Sequence, residues 1–179
     1  MSARVVAFLR AINVGGRVVT MAELRDHFEE FGFKDVETFI ASGNVVFTSK
    51  ATDARLQARI EKGLNLALGY EVATFVRSAD ELVAITKYRA FSAVQLANAM
   101  TNVVGFVAEP LSVAAKKALM ALQNEHDSFH VHGREIYWVS LKGQSDSTFS
   151  NVQLERTIKM RTTFRGMNTI VRLVAKFGF

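Results

Sequence analysis

The sequence predicts an α+β protein built from two small subdomains, and the pattern of its 179 residues supports this fold class in three ways. Short apolar runs with the length of strands alternate with segments whose apolar residues recur at helical spacing. Residues 4–77 have the order β-α-β-β-α-β, that of a ferredoxin-like unit with helices on one face of an antiparallel sheet. The second half begins with the order β-α-β-β and ends in helices, which indicates a partial repeat of that topology. We expect the subdomains to cover residues 1–90 and 91–179.

The first predicted strand covers residues 5–9, an uninterrupted apolar run. Such a run is typical of a strand that is covered on its helix-bearing face and flanked by neighbouring strands, so we expect it at the centre of the sheet. Arg10 ends the run, and a loop that contains Gly15 and Gly16 follows. Glycine permits positive φ and a close approach of the backbone to a ligand, which makes this loop a candidate binding segment.

The first helix is predicted to begin at Met21, because Thr20 and Glu23 form the pattern of a capping box. The N-terminus of a helix attracts anions through its free amide N–H groups and its dipole. Arg10 and Arg17 flank the loop that leads into this helix. The loop therefore predicts an anion site, although two adjacent glycines are also common in plain turns.

A β-hairpin is predicted from strands at residues 36–40 and 45–47. Its turn contains Ser42, Gly43 and Asn44, and the last two tolerate the positive φ of a tight turn.

The second helix is predicted at residues 53–68 with Asp53 as its cap, and the fourth strand at residues 72–76. Arg77 ends that strand and is expected to be a surface charge.

A ferredoxin-like sheet with the strand order 4-1-3-2 has a consequence for the site. Strands one and two run parallel with another strand between them, so the loop after strand one and the turn after strand two emerge at the same end of the sheet. We therefore expect one polar site from both segments. Its candidate ligand-binding residues are Arg10, Asn13, Gly15, Gly16, Arg17, Ser42, Gly43 and Asn44.

The elements of the second subdomain are predicted from the same capping, periodicity and hairpin patterns. Its predicted elements are a strand at 103–108, a helix at 112–122, a hairpin from 128–131 and 136–141, and two helices at 151–160 and 167–176.

Composition narrows the class of protein. A hydrophobic content of 49% is that of a globular chain, and the absence of cysteine removes disulfides, thiolate nucleophiles and zinc-finger ligand sets. Only five apolar residues lie between Arg4 and Arg10, too few for a signal peptide, and no run is long enough to cross a membrane. We expect a cytoplasmic protein. The net charge of +5 favours anionic partners, and the oligomeric state stays open.

Three stretches of sequence carry a resemblance to a known family. They read LRAINVGG at residues 9–16, MAEL at 21–24 and TFIASGNVVF at 38–47. In these stretches, and in a tail that reads TTFRGMNTI at 162–170, the chain resembles the bacterial domain of unknown function 1697 family. The resemblance implies two small α+β subdomains, the first of them ferredoxin-like, and it implies no activity.

The tail resembles the family's motif threonine-arginine-asparagine-tryptophan-asparagine-threonine. The residues that match it, and that we add to the candidate ligand-binding residues, are Arg165, Asn168 and Thr169. The residues that depart from it are Phe164, Gly166 and Met167. The motif either contacts a ligand, in which case this chain has lost part of the site, or caps and packs the last helix.

Other chemistries find little support. His130 and His132 alternate on a strand and share a face, but no third metal ligand is evident. Ser145 and Ser147 flank Asp146 in a polar loop without a positioned base. Walker and Rossmann glycine patterns are absent. We expect no metal and no cofactor.

The sequence thus favours a protein that binds an anionic ligand, namely a nucleotide, a phosphorylated metabolite or a nucleic-acid backbone. Two alternatives remain. In one, the protein is an enzyme that acts on a small substrate at the same end of the sheet, where Arg10 and Asn13 polarise a carbonyl or phosphoryl oxygen. In the other, the protein is a structural or interaction module that binds no ligand. Sequence-specific RNA binding is disfavoured, because the strands lack the aromatic residues that stack bases.

Overall fold

The computed structural model describes residues 3–40, 43–51, 54–147 and 149–179. The chain divides into two compact units: unit 1 comprises Met1–Ile85 with Leu173–Phe179, and unit 2 comprises Thr86–Arg172. The subdomain boundary expected between residues 90 and 91 stays a prediction. Within the described ranges, every helix is too short or too polar to cross a lipid bilayer.

The first sheet has the expected topology. The elements are, in chain order, β1 (Ala3–Leu9), α1 (Met21–Glu30), β2 (Lys34–Thr38), β3 (Asn44–Ser49), α2 (Ala54–Leu68), β4 (Thr74–Ser78) and α3 (Ala79–Lys87). The strands form an antiparallel sheet in the order β2-β3-β1-β4. This is the predicted order 4-1-3-2 read from the other edge, so the ferredoxin-like prediction is confirmed. The cap predicted at Asp53 lies outside the described residues.

Strand β1 lies at the centre of this sheet, as its apolar run predicted. Val5, Ala7 and Leu9 face the core beneath α1 and α2. Val6 and Phe8 point to the opposite face and are also fully buried. A strand buried on both faces needs apolar residues at every position, which is why its sequence does not alternate.

The core of unit 1 lies between the sheet and its two amphipathic helices. Three aromatic rings occupy its middle, since Phe33 and Phe47 are 4.6 Å apart between centroids and Phe28 lies 5.4 Å from Phe47. Leu24 of α1 and Ile60 of α2 pack against the same cluster. Each such side chain contributes about 1.5–3 kcal/mol through removal from water.

Helix α1 begins with the capping box that the sequence predicted. The Glu23 backbone N–H donates to Thr20 Oγ1 at 3.1 Å, and the Thr20 N–H donates to Glu23 Oε2 at 2.8 Å. Hydrogen bonds from the Thr20 N–H and then from its hydroxyl lower the pKa of Glu23. These bonds satisfy N–H groups that have no partner within the helix.

We expect Thr20→Ala to lower the free energy of unfolding by about 1 kcal/mol, because the cap loses its side-chain acceptor. The Glu23 pKa should rise toward its ordinary value, since only the backbone donor remains. Urea unfolding and an NMR titration of Glu23 measure the two effects. Thr20→Ser keeps the hydroxyl and should change neither; a large change with serine would contradict the capping role.

The second unit repeats the topology of the first more completely than its sequence indicated. Its elements are α4 (Ala93–Asn98), β5 (Thr101–Phe106), α5 (Val113–Met120), β6 (Asp127–His132), β7 (Glu135–Ser140), α6 (Asn151–Ile158), β8 (Thr163–Gly166) and the start of α7 (Met167–Phe177). The sheet order is β6-β7-β5-β8, with all pairs antiparallel.

The expected β-α-β-β segment is present in unit 2, and α6 and β8 extend it to β-α-β-β-α-β. The sequence does not reveal β8, because a strand of four residues with Arg165 inside it and Gly166 at its end has no recognisable alternation. The tail motif is thus an edge strand followed by a helix.

The position of Arg77 differs from the expectation based on the sequence. It is fully buried, not a surface charge, and its Nη1 donates to the Val76 carbonyl oxygen at 2.9 Å. The reason is that β4 continues to Ser78, so Arg77 lies opposite Val6 inside the sheet. Periodicity alone placed the end of the strand before Arg77 and could not show this.

Candidate functional site

The loop after β1 and the turn after β2 meet at one end of the first sheet. The Leu9 backbone N–H donates to the Gly43 carbonyl oxygen at 2.8 Å. Asn13 from the loop, and Gly43 and Asn44 from the turn, line one small cavity. We call residues 10–20 the glycine loop. Ser42 lies outside the described residues.

Gly43 holds the two segments together at close range. Its φ is +74°, and a Cβ there would lie 3.0 Å from Leu9 Cβ and 3.1 Å from Ile12 Cγ2. Any side chain would push the loop and the turn apart. The glycine is therefore explained by packing, without a ligand.

Asn44 is also explained by local structure. It is fully buried, its Nδ2 donates to the Phe39 carbonyl oxygen at 2.8 Å, and its own carbonyl oxygen accepts from the Phe39 N–H at 3.0 Å. These two bonds close the hairpin turn. The turn therefore acts as a support for the glycine loop.

The glycine loop is anchored at several points. The Arg10 N–H donates to the Ala73 carbonyl oxygen at 2.8 Å, so the start of the loop is tied to the residue before β4. The Tyr70 hydroxyl donates to the Ile12 carbonyl oxygen at 3.0 Å. These contacts hold the loop to the sheet end in a defined conformation.

Asn13 contributes a further anchor within the loop. Its Oδ1 accepts from the Val19 N–H at 2.7 Å, which determines how the amide is oriented. Within the described part of the chain, its Nδ2 has no acceptor. An amide fixed in this way is a preoriented donor toward a ligand oxygen.

Arg17 is held more firmly than its place in a loop predicts. Its guanidinium carbon lies 4.1 Å from the centroid of the Tyr70 ring, which is cation–π stacking distance. The planar fork is thus supported from one side while its edge stays available for hydrogen bonds. Tyr70 both anchors the loop backbone and positions the cation.

Gly15 and Gly16 form the open part of the loop. Their φ angles are +68° and +80°, and a Cβ on either would meet no atom within 4 Å. Val14 and Val18 beside them are 59% and 78% exposed. The loop thus offers bare backbone, a fixed guanidinium and exposed apolar surface at one place.

The cavity between the loop and the turn is too small for an organic ligand. Its volume is about 10 Å³, room for a single water. A ligand would therefore bind on the exposed face of the glycine loop. The groups that can reach it are Arg17, the Asn13 amide and the backbone of the two glycines.

Tyr70 is the residue of this site that the sequence analysis missed. It follows the end of α2, and no periodic pattern distinguishes it. The predicted topology does indicate the position of Tyr70. Because β4 is antiparallel to β1, the segment before β4 lies at the same sheet end as the glycine loop.

The tail residues belong to unit 2. Arg165 is buried and donates to Thr163 Oγ1 at 2.8 Å and to the Phe164 carbonyl oxygen at 2.9 Å, and burial lowers its pKa to about 10. Asn168 is exposed and Thr169 half-buried in the first turn of α7. These hydrogen bonds hold Arg165 within β8, and a ligand role for the three residues stays a prediction.

The Phe164 side chain has a packing role in the second sheet. The Phe164 ring lies over Gly105 on the neighbouring strand, where a Cβ would come within 2.6 Å of the ring. The ring also packs edge-on against Trp138. The aromatic ring at this position therefore covers the backbone of Gly105, which has no side chain of its own.

The two histidines on β6 share a face, as expected, and both contact Tyr88. The Tyr88 hydroxyl lies 2.8 Å from His130 Nε2, and its ring stacks on His132 at 4.1 Å. Burial, and then the charges of Lys116 and His132, lower the pKa of His130. A neutral, hydrogen-bonded His130 explains this pair as part of an aromatic cluster.

The comparisons with known proteins identify a family and a fold. A family model described as protein of unknown function (DUF1697) matches residues 2–137. The conserved bacterial protein SP0830 of Streptococcus pneumoniae has a similar structure, with a TM-score of 0.80, 22% sequence identity and coverage of 100% of both chains. At this identity the likeness concerns the fold alone. A comparison with curated proteins finds no match.

Proposed function

Since this chain belongs to the family of proteins of unknown function DUF1697, which provides no activity, we propose its function from the glycine loop: the loop binds a small anionic ligand of the nucleotide or phosphorylated-metabolite class. The observation that carries the proposal is Arg17, held over the Tyr70 ring at 4.1 Å beside the open backbone of Gly15 and Gly16. A guanidinium fixed before binding loses little entropy when it contacts phosphate or carboxylate.

The polar groups of the loop suit one anionic group of a ligand. Arg17 supplies the charge, the Nδ2 of Asn13 supplies a neutral donor, and the glycines permit close approach of the backbone. Arg10 is half-buried at the anchored start of the loop and adds positive potential.

The apolar surroundings favour a ligand with an apolar part over a bare polyanion. Val14, Val18 and Met21 expose 59%, 78% and 47% of their surface around the polar groups. A nucleotide combines a phosphate with a flat, weakly polar base and suits such a rim. A nucleic-acid backbone, which is polar along its whole length, suits it less.

We expect Arg17→Gln to weaken binding roughly tenfold to hundredfold, because a charge-assisted contact contributes about 1.5–3 kcal/mol. A panel of nucleoside phosphates and sugar phosphates, screened by thermal shift and then by calorimetry, identifies the ligand. Arg25→Gln is the matched control, since Arg25 is exposed in the same unit and the charge change is equal.

Tyr70 provides a second, sharper pair of variants. Tyr70→Phe keeps the ring under Arg17 and removes only the bond to Ile12, whereas Tyr70→Leu removes the ring. We expect the leucine variant to bind more weakly than the phenylalanine variant. If no compound of the panel binds the wild type, or if Arg25→Gln weakens binding as much as Arg17→Gln, the proposal is wrong.

A further inference from the structure

The opposite end of the first sheet carries a wide groove that the glycine loop does not touch. This is the end at which β1 starts and β3 finishes, as Ala3 pairs with Ser49 and Lys34 with Thr48. A cavity of about 500 Å³ opens there beside the first turn of α2. A second cavity of about 560 Å³ continues along the same helix to Leu66.

The two cavities form one surface, because Arg55 and Arg59 line both of them. We call this surface the α2 groove. At about 1.5 Å of rise per residue, the helix runs roughly 16 Å from Arg55 to Leu66. The groove is therefore long and open.

Cationic side chains follow the whole length of the α2 groove. Arg55, Arg59 and Lys62 recur at the spacing of one helix face, and Lys34 and Lys50 stand at the strand ends. Among the residues that the structure describes, Lys34, Lys50 and Lys62 form no ion pair.

One acidic side chain, that of Asp35, directly follows Lys34 in the sequence. The Asp35 carboxylate accepts from Thr48 Oγ1 at 2.8 Å. The carboxylate keeps its negative charge, because the hydroxyl donor is neutral, but within the described residues it forms no ion pair with Lys34.

Arg59 is positioned before any ligand binds. Its guanidinium donates to the Phe31 carbonyl oxygen and lies 4.6 Å from the centroid of the Phe33 ring. Its orientation is therefore fixed by α1's end and by the core beneath it, as a preorganised phosphate contact requires.

Aromatic and apolar surface lies between the cations. The Phe31 ring rests on bare Gly63 of α2, where a Cβ would come within 2.7 Å of it. Phe31 is half-buried and lines the groove, and Leu66 is 79% exposed at its far end. A larger residue than glycine at position 63 would displace the ring.

We propose that the α2 groove binds single-stranded nucleic acid through its backbone, without base specificity. Cations spaced along an open groove match a chain of phosphates, whereas a single small anion needs cations that converge on one point. Phe31 provides an aromatic ring against which a base can pack, and Leu66 provides exposed apolar surface beside it. The net charge of +5 favours the same partner.

The test uses the full chain and a fluorescent oligothymidine of about 12 nucleotides, a length within the range of known single-strand sites. We expect salt-dependent binding that Lys50→Gln with Lys62→Gln weakens roughly tenfold at low salt. The slope of log K against log salt should become shallower by about 1.4, since each lost phosphate contact of a single strand removes about 0.7.

The matched control is Lys87→Gln with Lys117→Gln, two exposed lysines outside the groove with the same charge change. It should leave affinity and slope unchanged, as should Arg17→Gln in the glycine loop. No binding of the oligonucleotide by the wild type, or equal weakening by the control pair, overturns the proposal. Weakening by Arg17→Gln alone would place nucleic acid at the glycine loop and would also overturn it.

Discussion

Asp127→Ala should destabilise unit 2 by about 3–5 kcal/mol, because this buried carboxylate accepts from several donors that would lose their partner. The Trp138 Nε1–H donates to Asp127 Oδ1 at 3.0 Å, Asn124 Nδ2 donates to Oδ2 at 3.1 Å, and the Ser147 hydroxyl reaches both oxygens. Unfolding in urea, followed by the fluorescence of Trp138, measures the loss.

The same carboxylate predicts a pH dependence. Burial alone would raise the pKa of Asp127, but hydrogen bonds from Ser140, Asn124, Trp138 and Ser147 lower it below its ordinary value of 3.8. A depressed pKa in the folded state means that the stabilisation is present above the unfolded pKa and is lost as the pH falls through the folded pKa. The free energy of unfolding of the wild type should therefore fall in acid, as Asp127 becomes protonated.

Asp127→Asn separates the charge from the shape of the side chain. It should cost about 1–3 kcal/mol at neutral pH and lose less stability than the wild type between neutral pH and about pH 3. Ser147→Ala, which removes one donor and leaves the carboxylate, should have a smaller effect than either. Equal stability of Asp127→Ala and the wild type at neutral pH would contradict the role of this carboxylate.

Gly43→Ala should lower the free energy of unfolding by about 2–5 kcal/mol, since two penalties add. A residue with a side chain pays about 1–2 kcal/mol in the left-handed region that the φ of +74° requires. The new Cβ would also lie 3.0 Å from Leu9 Cβ and 3.1 Å from Ile12 Cγ2, and overpacking of this kind costs about 1–3 kcal/mol.

Gly16→Ala is the control that isolates the first penalty. Its φ of +80° is similar, but a Cβ there meets no atom within 4 Å. The alanine should cost only about 1–2 kcal/mol, and the difference between the two variants in urea unfolding measures the packing of Gly43 against the loop. Equal costs would mean that the close contact relaxes and that Gly43 is not a packing requirement.

These variants also separate structure from function in the turn that contains Gly43 and Asn44. If Gly43→Ala unfolds the protein while Gly16→Ala leaves it folded but unable to bind an anion, the turn is a support and the loop is the site. This is the division of roles that Asn44, buried and bonded to Phe39, already indicates.

Local sequence determined those parts of the fold that depend on neighbouring residues. The cap of α1 needs only Thr20 and Glu23, three residues apart, so the helix start was predictable. The central strand needs only an apolar run, and the ferredoxin-like order then brings the loop and the turn to one sheet end. The location of the candidate site followed from this order.

Tertiary structure decided what depends on residues far apart in the chain. Tyr70 meets Arg17 because β4 runs antiparallel to β1, and β8 exists because β5 has a free edge to pair with it. The α2 groove combines strand ends near Lys34 and Lys50 with a helix face. A side chain's sequence neighbours do not determine what covers it, so the burial of Arg77 and the groove could be found only after the elements had been packed together.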